Sequence, residues 1–333
     1  MRIPSSLRTA LVIQGPILST GRTGNSLHNP ESGIGKDKIV EYDSSEVVNF
    51  YINSYSTLFD VIIVSTWQGE DVSKILIRDG VHVIKSEDTL RSIVPVSMVQ
   101  GYLGNNKLRQ FFTLKRALDF CKIIGINHVI KVRTDNLVDV SVLFKSSLLD
   151  QHKLWFPGTG SCSNYLEDFY FAGSLEHLEE LCDSMLHKRS LYKSVHLDLF
   201  YKYMKMRLKP RLWSIFDYFP QTNGWTEGQA KIVNDGNAQF FSYFPIEVWN
   251  SQVWRGEPIQ EKFFLKQTSS VSTVGKTTNS KSWRKFSLKA MVFYLAGDLV
   301  GSRLLVLFDS VAGAKARLRS VLASFWTRYF RSP

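Results

Sequence analysis

The strongest chemical pattern in the chain is Lys131-Val132-Arg133-Thr134-Asp135-Asn136, where an apolar run ends in charged and polar residues. A carboxylate just past a buried strand is placed to bind a divalent cation or to hydrogen-bond ribose or sugar hydroxyls. No second Asp stands two residues from Asp135, so the pattern favours ligand binding over metal binding. The alternative is an Asp that begins an ordinary turn.

Two further carboxylates are candidates for a general base. Asp168 precedes a strand-like apolar run and a glycine turn, and Asp198 lies in a later predicted helix. A general base must reach the proton that it removes, so either residue qualifies only if it faces a cleft. The alternative for each is a surface carboxylate without a catalytic role.

Two other groups suit phosphate or nucleotide binding. Gly15, in Gln14-Gly15-Pro16, would let the backbone approach a nucleotide, although an ordinary turn fits equally well. Asn106 and Arg109 stand near the start of a predicted helix, where backbone N–H groups and cations suit anions; the alternative is a capped helix with a solvated basic face. Neither G-x-G-x-x-G nor G-x-x-x-x-G-K-[ST] occurs, which disfavours dinucleotide-dependent dehydrogenases and P-loop ATPases.

Short apolar runs alternate with helical patterns over the first half of the chain. The runs predict strands at 10–13, 60–67, 81–84 and 128–133, and the apolar spacing predicts helices over 47–58 and 106–122. This alternation predicts an α/β fold with a mostly parallel, Rossmann-like sheet flanked by helices. In such sheets ligands bind outside the carboxyl ends of the strands. Those ends carry Gln14–Pro16, Ser65-Thr66-Trp67 and Arg133–Asp135.

The charge of the chain is unevenly distributed. The 333 residues carry a net charge of +11. Residues 281–333 hold ten Lys and Arg against Asp298 and Asp309, so that the rest of the chain is nearly neutral. We predict one domain over 1–267, a Ser/Thr-rich linker at 268–282 and a basic amphipathic helical tail at 283–333 that docks on an anionic membrane. The alternative for the tail is a helical pair packed on the body.

Other features point to the cytoplasm. The three cysteines are an odd number and include no C-x2-C pair, which disfavours disulfides and a structural zinc site. The N-terminal residues lack the long apolar core of a signal peptide. A nearly neutral body without a nucleic-acid-binding motif disfavours a nucleic-acid partner. We therefore expect a cytoplasmic protein, peripheral at the inner face of the membrane.

Four segments together resemble the bacterial WavE family of lipopolysaccharide-synthesis proteins, which is similar to GT-A glycosyltransferases. They are Val12–Pro16, Ile63–Trp67, Asn106–Gln110 and Ile130–Asp135, in this order. The segment from Asp168 to Ser174 is similar to an acidic-aromatic-Gly-Ser segment of these enzymes. The resemblance covers about residues 8–205.

The resemblance implies a nucleotide-sugar donor lying across the strand ends, with a donor half at about 8–150 and an acceptor half at 151–267. The implied donor-binding residues are Gln14, Gly15, Pro16, Ser65, Thr66, Trp67, Asn106, Arg109, Arg133 and Asp135. GT-A enzymes carry a metal-binding D-x-D motif here, but position 133 is Arg in this chain. Two alternatives follow: Asp135 holds Mn²⁺ or Mg²⁺, or Arg133 or Arg109 neutralises the diphosphate.

The sequence thus leads to a bacterial glycosyltransferase, expected to be a hexosyltransferase, with Asp168 preferred over Asp198 as its base because Asp168 lies next to a strand-like segment and a glycine turn. The expected acceptor is a glycolipid or oligosaccharide of lipopolysaccharide, lipooligosaccharide or capsule biosynthesis. One alternative is a sugar nucleotidyltransferase of similar fold. Another is a catalytically inactive, membrane-bound scaffold of glycan assembly.

Overall fold

The computed structural model describes residues 7–21, 40–87, 105–158, 166–187, 195–208 and 234–259. All of these residues belong to one compact unit. The predicted linker at 268–282 and the predicted tail at 283–333 lie outside the described residues. No helix in the described part of the chain has the length and hydrophobicity needed to cross a bilayer.

The described residues form strands and helices that alternate along much of the chain. The strands are β1 (Thr9–Gln14), β2 (Leu18–Gly21), β3 (Val40–Asp43), β4 (Val61–Trp67), β5 (Val81–Ser86), β6 (His128–Arg133), β7 (Asn136–Leu137), β8 (Leu154–Phe156), β9 (Phe171–Ser174), β10 (Phe241–Tyr243), β11 (Val253–Trp254) and β12 (Glu257–Pro258). The helices are α1 (Ser45–Tyr55), α2 (Asn105–Ile123), α3 (Val140–Ser147), α4 (Leu175–His187), α5 (Val195–Leu208) and α6 (Ile246–Ser251).

Seven strands form the main sheet, in the order β5-β4-β1-β6-β9-β8-β10. Neighbours pair in parallel except at β9, which runs antiparallel to both β6 and β8. The sheet is therefore mostly parallel, as the sequence predicted. Strands from both the 8–150 and the 151–267 halves contribute to it.

Helices cover both faces of the sheet because successive strand side chains point to opposite faces. In β1, Ala10 and Val12 pack with residues of α2, α4 and α5. Leu11 and Ile13 pack on the other face with residues of α1, α3 and α6. Burial on both faces explains why these strands read as continuous apolar runs and show no polar alternation.

Two small sheets lie beside the main one. Strands β2 and β3 pair antiparallel, and β11 pairs antiparallel with both β7 and β12. The turn between β11 and β12 holds Arg255 at φ 48° and Gly256 at φ 80°. Positive φ at both central residues is typical of a tight two-residue hairpin turn.

The sequence predictions for strands and helices up to residue 133 are confirmed by β1, β4, β5 and β6 and by α1 and α2. The bounds differ by a few residues at the helix ends. The predicted helix over 47–58, for example, is α1 at Ser45–Tyr55. Strand β9 corresponds to the strand-like run after Asp168.

Candidate functional site

Three of the predicted donor-binding residues stand side by side at the carboxyl edge of the main sheet. Gln14, at the end of β1, pairs in register with Ser65 of β4 and with Arg133 of β6. The chain leaves β1 for β4 on one side and later adds β6 on the other, so the strand order reverses at β1. Ligands of open α/β sheets bind in the crevice at such a reversal.

The turn after β1 and the turn after β6 approach closely at this edge. Gly15 adopts φ +146°, and a Cβ atom there would lie 2.5 Å from Thr134 Oγ1. The Thr134 hydroxyl donates a hydrogen bond to the carbonyl of Pro16 at 2.7 Å. Gly15 and Pro16 therefore connect the two strand ends.

Two of the predicted donor-binding side chains hold α2 against the sheet. Gln14 Nε2 donates to Thr113 Oγ1 at 2.7 Å and to the Gln110 carbonyl at 3.1 Å. Ser65 Oγ donates to the Thr113 carbonyl at 2.9 Å. Gln14 Oε1 and the Thr66 hydroxyl are buried and have no hydrogen-bond partner among the described residues. These two atoms lie at the ends of β1 and β4, beside the strand reversal.

Trp67 and Arg109 lie on the α2 side of the edge. Trp67 is partly buried, and its ring stacks on Phe112 with a centroid distance of 6.3 Å and an interplanar angle of 3°. Arg109 is partly buried on α2. The side chain of Asn106, also on α2, lies outside what the structure describes.

Asp135 is buried beneath two arginines. Its carboxylate accepts from Arg133 Nε at 2.9 Å and from Arg133 Nη2 at 3.0 Å. Arg255 Nε lies 3.0 Å from Asp135 Oδ2. Burial alone would raise the pKa of Asp135, but the two guanidinium groups outweigh it and hold the pKa below its usual range. Asp135 is thus an ionised carboxylate held by two cations.

The hairpin of β11 and β12 places Arg255 beside Asp135. Trp254 pairs in register with Asn136, next to Asp135. The backbone N–H of Arg255 donates to the Asp135 carbonyl at 2.9 Å. Arg255 Nε also contacts Ser19 Oγ on β2, at 3.1 Å. The hairpin therefore connects the loop after β6 to the β2–β3 sheet.

The reversed direction of β9 brings a second group of charged residues to the same edge. Lys131 of β6 pairs in register with Phe171 of β9. Because β9 is antiparallel, the residues just before it, Glu167 and Asp168, lie at the edge where β6 ends. Lys131 Nζ donates to the Asp168 carbonyl and lies 4.8 Å from the centroid of the Phe171 ring. Burial lowers the pKa of Lys131 to about 7.

Glu167, Asp168 and His196 form an acid–imidazole cluster. His196 Nδ1 lies 3.3 Å from Glu167 Oε2 and 3.8 Å from Asp168 Oδ1. The first turn of α5 is pinned to this segment, because Leu166 N–H donates to the His196 carbonyl at 3.3 Å and His196 Nδ1 lies 3.2 Å from the Leu166 carbonyl. The predicted base Asp168 is therefore placed beside a second carboxylate and an imidazole.

The two carboxyl groups of this cluster have opposite pKa shifts. Burial raises the pKa of Glu167 to about 7, against the opposing effect of His196. Burial also acts to raise the pKa of Asp168, but His196, Arg133 and Lys131 outweigh it and hold this pKa below its usual value. Carboxyl groups whose environments push their pKa values apart suit different acid–base roles.

Asp198, the other predicted base, is not brought to this cluster. Its carboxylate is fully buried and lies 3.8 Å from Lys202 Nζ, which in turn donates to the Met185 carbonyl of α4. Two residues along an α-helix correspond to a rotation of about 200°, so Asp198 and His196 project from opposite sides of α5. The geometry places Asp198 at the packing contact of α5 with α4.

The described residues fit a metal ion poorly at Asp135. Both carboxylate oxygens already accept from guanidinium groups, whose charge would repel a divalent cation placed beside them. Glu167, Asp168 and His196 offer one ligand atom each within 4.8 Å of one another, which is a spacing that a cation could use. Spacing of this kind is common without a metal and does not show one.

Sequence reasoning missed Glu167, His196 and Arg255. Glu167 directly precedes Asp168, and an acidic pair before a strand is a signal that could have found it. His196 lies two residues before Asp198, but its role depends on the contact of α5 with the segment at 166–168. Arg255 follows Trp254 in a short hairpin, and no local pattern connects it with a residue 120 positions earlier in the chain.

Two comparisons of the chain with known proteins found no relative. A scan against models of protein families and a search of curated protein sequences found no match to the chain.

Proposed function

We propose that the protein is a GT-A-like glycosyltransferase that moves a sugar from a nucleotide-sugar donor to a lipopolysaccharide, lipooligosaccharide or capsule-type acceptor. The observation that carries the proposal is the meeting of two kinds of group at one edge of the sheet. A buried carboxyl group with a pKa of about 7, on Glu167, lies in the same charged cluster as the arginines around Asp135. The resemblance to the WavE family, which implies that Arg133 and Asp135 bind the donor, supports the same interpretation.

Sugar transfer makes two chemical demands that this edge can meet. The departing nucleoside diphosphate develops negative charge, which preorganised cations stabilise. The acceptor hydroxyl must lose a proton to a base as it attacks. The cations and the carboxylates interact, because the positive charge of Arg133 contributes to the low pKa of Asp168.

Glu167 suits the base better than Asp168 does. A general base works best when its pKa is near the operating pH, and burial brings the pKa of Glu167 to about 7. Asp168 stays ionised, and its Oδ1 lies 3.8 Å from His196 Nδ1, so we assign it an electrostatic role beside the imidazole. This refines the sequence prediction, which placed the base at Asp168.

The fold of the described residues supports a nucleotide donor at the strand reversal. Gln14, Ser65 and Arg133 are neighbours there, and Thr66 and Gln14 each keep a buried polar atom without a partner among the described residues. The aromatic stack of Trp67 on Phe112 lies at the end of β4 on the same edge. Aromatic faces of this kind suit a nucleobase or a sugar ring.

The test is a panel of UDP-, GDP- and CMP-sugars incubated with the purified protein, with nucleotide release as the readout. We expect one donor to be consumed, with water replacing the acceptor. Glu167→Gln should lower the rate about 100-fold or more, because a positioned base contributes about 10²–10⁴-fold. Donor binding should change little, since the variant keeps the size of the side chain. The wild-type rate should rise as the pH increases through about 7, where Glu167 ionises.

Glu180→Gln is the matched control, because Glu180 pairs with Arg207 on the helices and is 31% exposed. It should leave the rate unchanged. A Glu167→Gln protein as active as wild type would remove Glu167 from the mechanism. Pyrophosphate release from a nucleoside triphosphate would instead indicate a nucleotidyltransferase, and no binding of any nucleotide sugar would indicate the scaffold.

A further inference from the structure

We propose that Arg133 and Arg255 bind the diphosphate of the donor directly, and that Asp135 positions both guanidinium groups and holds no metal ion. We call these three residues the arginine clamp. This inference rests on the proposed function for the identity of the ligand, a nucleoside diphosphate. The arginine clamp differs from a D-x-D motif because it includes Arg255. This residue lies in the β11–β12 hairpin, which is outside the part of the chain that the resemblance covers.

The order of burial within the arginine clamp supports this assignment. The side chain of Asp135 is 1% exposed, whereas those of Arg255 and Arg133 are 10% and 23% exposed. A ligand approaching from solvent therefore meets the guanidinium groups before the carboxylate. A metal-binding aspartate would need the opposite arrangement, with its oxygens turned toward the ligand.

The hydrogen-bonding geometry of Arg133 also favours an anion. The clamp holds two guanidinium groups against one carboxylate, and Asp168 adds a second carboxylate that interacts with Arg133. Arg133 binds Asp135 through Nε and Nη2, and none of its hydrogen bonds to the described residues uses Nη1. The planar guanidinium can therefore present its other edge to phosphate oxygens, with which arginine forms paired hydrogen bonds.

Aromatic rings and a hydroxyl fix the two guanidinium groups in place. Arg133 lies over Phe169 and Trp254, with its Cζ 5.4 and 5.9 Å from the ring centroids. Arg255 Cζ lies 4.8 Å from the centroid of the Trp254 ring, and its Nε contacts Ser19. Cations that are held in position before the ligand arrives need no rearrangement when charge develops on the diphosphate.

The backbone conformation of Arg255 is set by the hairpin turn. This residue is the only non-glycine residue among those described that has a positive φ, at 48°. The left-handed region is unfavourable for a residue with a long side chain and much easier for Gly or Asn. The two-residue turn between β11 and β12 requires this conformation, so the backbone fixes the direction in which the Arg255 side chain leaves the hairpin.

The experiment is isothermal titration of the full chain with UDP and with GDP, first in excess EDTA and then with Mn²⁺. We expect one of them to bind in EDTA, with an affinity that Mn²⁺ changes less than about threefold. Arg255→Asn should weaken this binding about tenfold or more. Asn tolerates the left-handed turn, so circular dichroism and the melting temperature should show an intact fold. Arg255→Lys keeps the charge without the planar fork, and it should bind with intermediate affinity.

Arg207→Asn is the matched control, because Arg207 also pairs with a carboxylate, Glu180, but lies on α5. Its affinity for the nucleotide should equal that of wild type. Binding that requires Mn²⁺, or wild-type affinity in Arg255→Asn, would overturn the arginine clamp and leave the proposed function standing. If the protein consumes a CMP-sugar and no UDP- or GDP-sugar, the arginine clamp is also overturned while the proposed function stands, because a CMP-sugar carries no diphosphate. If no nucleotide binds and no nucleotide sugar is consumed, the proposed function fails as well.

Discussion

The carboxylates at the carboxyl edge of the sheet differ in charge because their neighbours differ. Asp135 and Glu167 are both almost completely buried. Two guanidinium groups keep Asp135 ionised, whereas Glu167 faces one imidazole and a second carboxylate and has its pKa raised to about 7. Burial alone therefore does not determine the role of an acidic residue. The cations that contact each carboxylate also determine its role.

Gly15→Ala should destabilise the protein through both backbone and side-chain strain. A Cβ atom at Gly15 would lie 2.5 Å from Thr134 Oγ1, and φ +146° is a conformation that residues with a side chain rarely adopt. We expect the free energy of unfolding to fall by about 2–4 kcal/mol, since strained backbone and overpacking each cost about 1–3 kcal/mol. Urea denaturation followed by circular dichroism measures the change.

Gly69→Ala separates the two contributions. Gly69 also has a positive φ, of +95°, but nothing lies within 4 Å of the position of its Cβ. The free energy of unfolding should therefore fall less in Gly69→Ala than in Gly15→Ala. Equal losses in the two variants would mean that the close approach of the turns after β1 and β6 is unimportant for stability.

At the scale of secondary-structure elements, the parallel strands could be predicted and the reversed strand could not. Strands buried on both faces, such as β1 and β4, appear in the sequence as apolar runs, and their carboxyl ends identified Gln14 and Ser65. The direction of β9 depends on its pairing with β6, which no local pattern records. That direction is what carries Glu167 to the site.

His128 connects β6 to α3, at the end of the sheet away from the candidate site, and should make stability depend on pH. Its Nε2 lies 2.9 Å from Ser147 Oγ, and burial lowers its pKa from 6.5 to about 4. In the unfolded chain His128 takes up a proton as the pH falls below about 6.5, while the folded protein resists protonation until about pH 4. The stability that the neutral ring contributes is present above pH 6.5 and is lost as the pH falls toward 4.

The measurement is urea denaturation of wild type and His128→Gln at pH 7 and pH 4.5. Between pH 7 and pH 4.5 the free energy of unfolding of wild type should fall by up to about 3 kcal/mol more than that of the variant, because each pKa unit corresponds to about 1.4 kcal/mol. His82→Gln serves as the control, since His82 lies on β5 with its side chain exposed. An equal pH dependence in wild type and His128→Gln would assign the loss of stability to other groups.

At the scale of the whole molecule, the division of charge along the chain remains a prediction from the sequence. Residues 281–333 carry most of the net charge of +11, and they lie outside the described residues. A chain lacking residues 281–333 should therefore leave the membrane fraction of the cell while keeping its fold. Membrane fractionation and circular dichroism measure the two effects, and a truncated protein that still sediments with membranes would contradict the docking role.

The general architecture follows from the sequence more readily than the candidate site does. Alternating apolar runs and helical patterns were sufficient for β1, β4, β5 and β6 and for α1 and α2, because these elements depend on local periodicity. The site combines Arg133 and Asp135, which are near one another in sequence, with Glu167, His196 and Arg255, which are not. The contacts among these groups depend on the pairing of β9 and of β11, and they become visible only when the whole chain is folded.

The hairpin that carries Arg255 is small, and among the described residues its strand pairing to the rest of the chain runs through β7. Its strands have two residues each, at Val253–Trp254 and Glu257–Pro258, and it belongs to a separate three-stranded sheet. Changes at its tip can therefore alter the electrostatics of the candidate site without repacking the hydrophobic core. In protein engineering, this loop is the natural position at which to retune the preference for anionic ligands while the scaffold is left as it is.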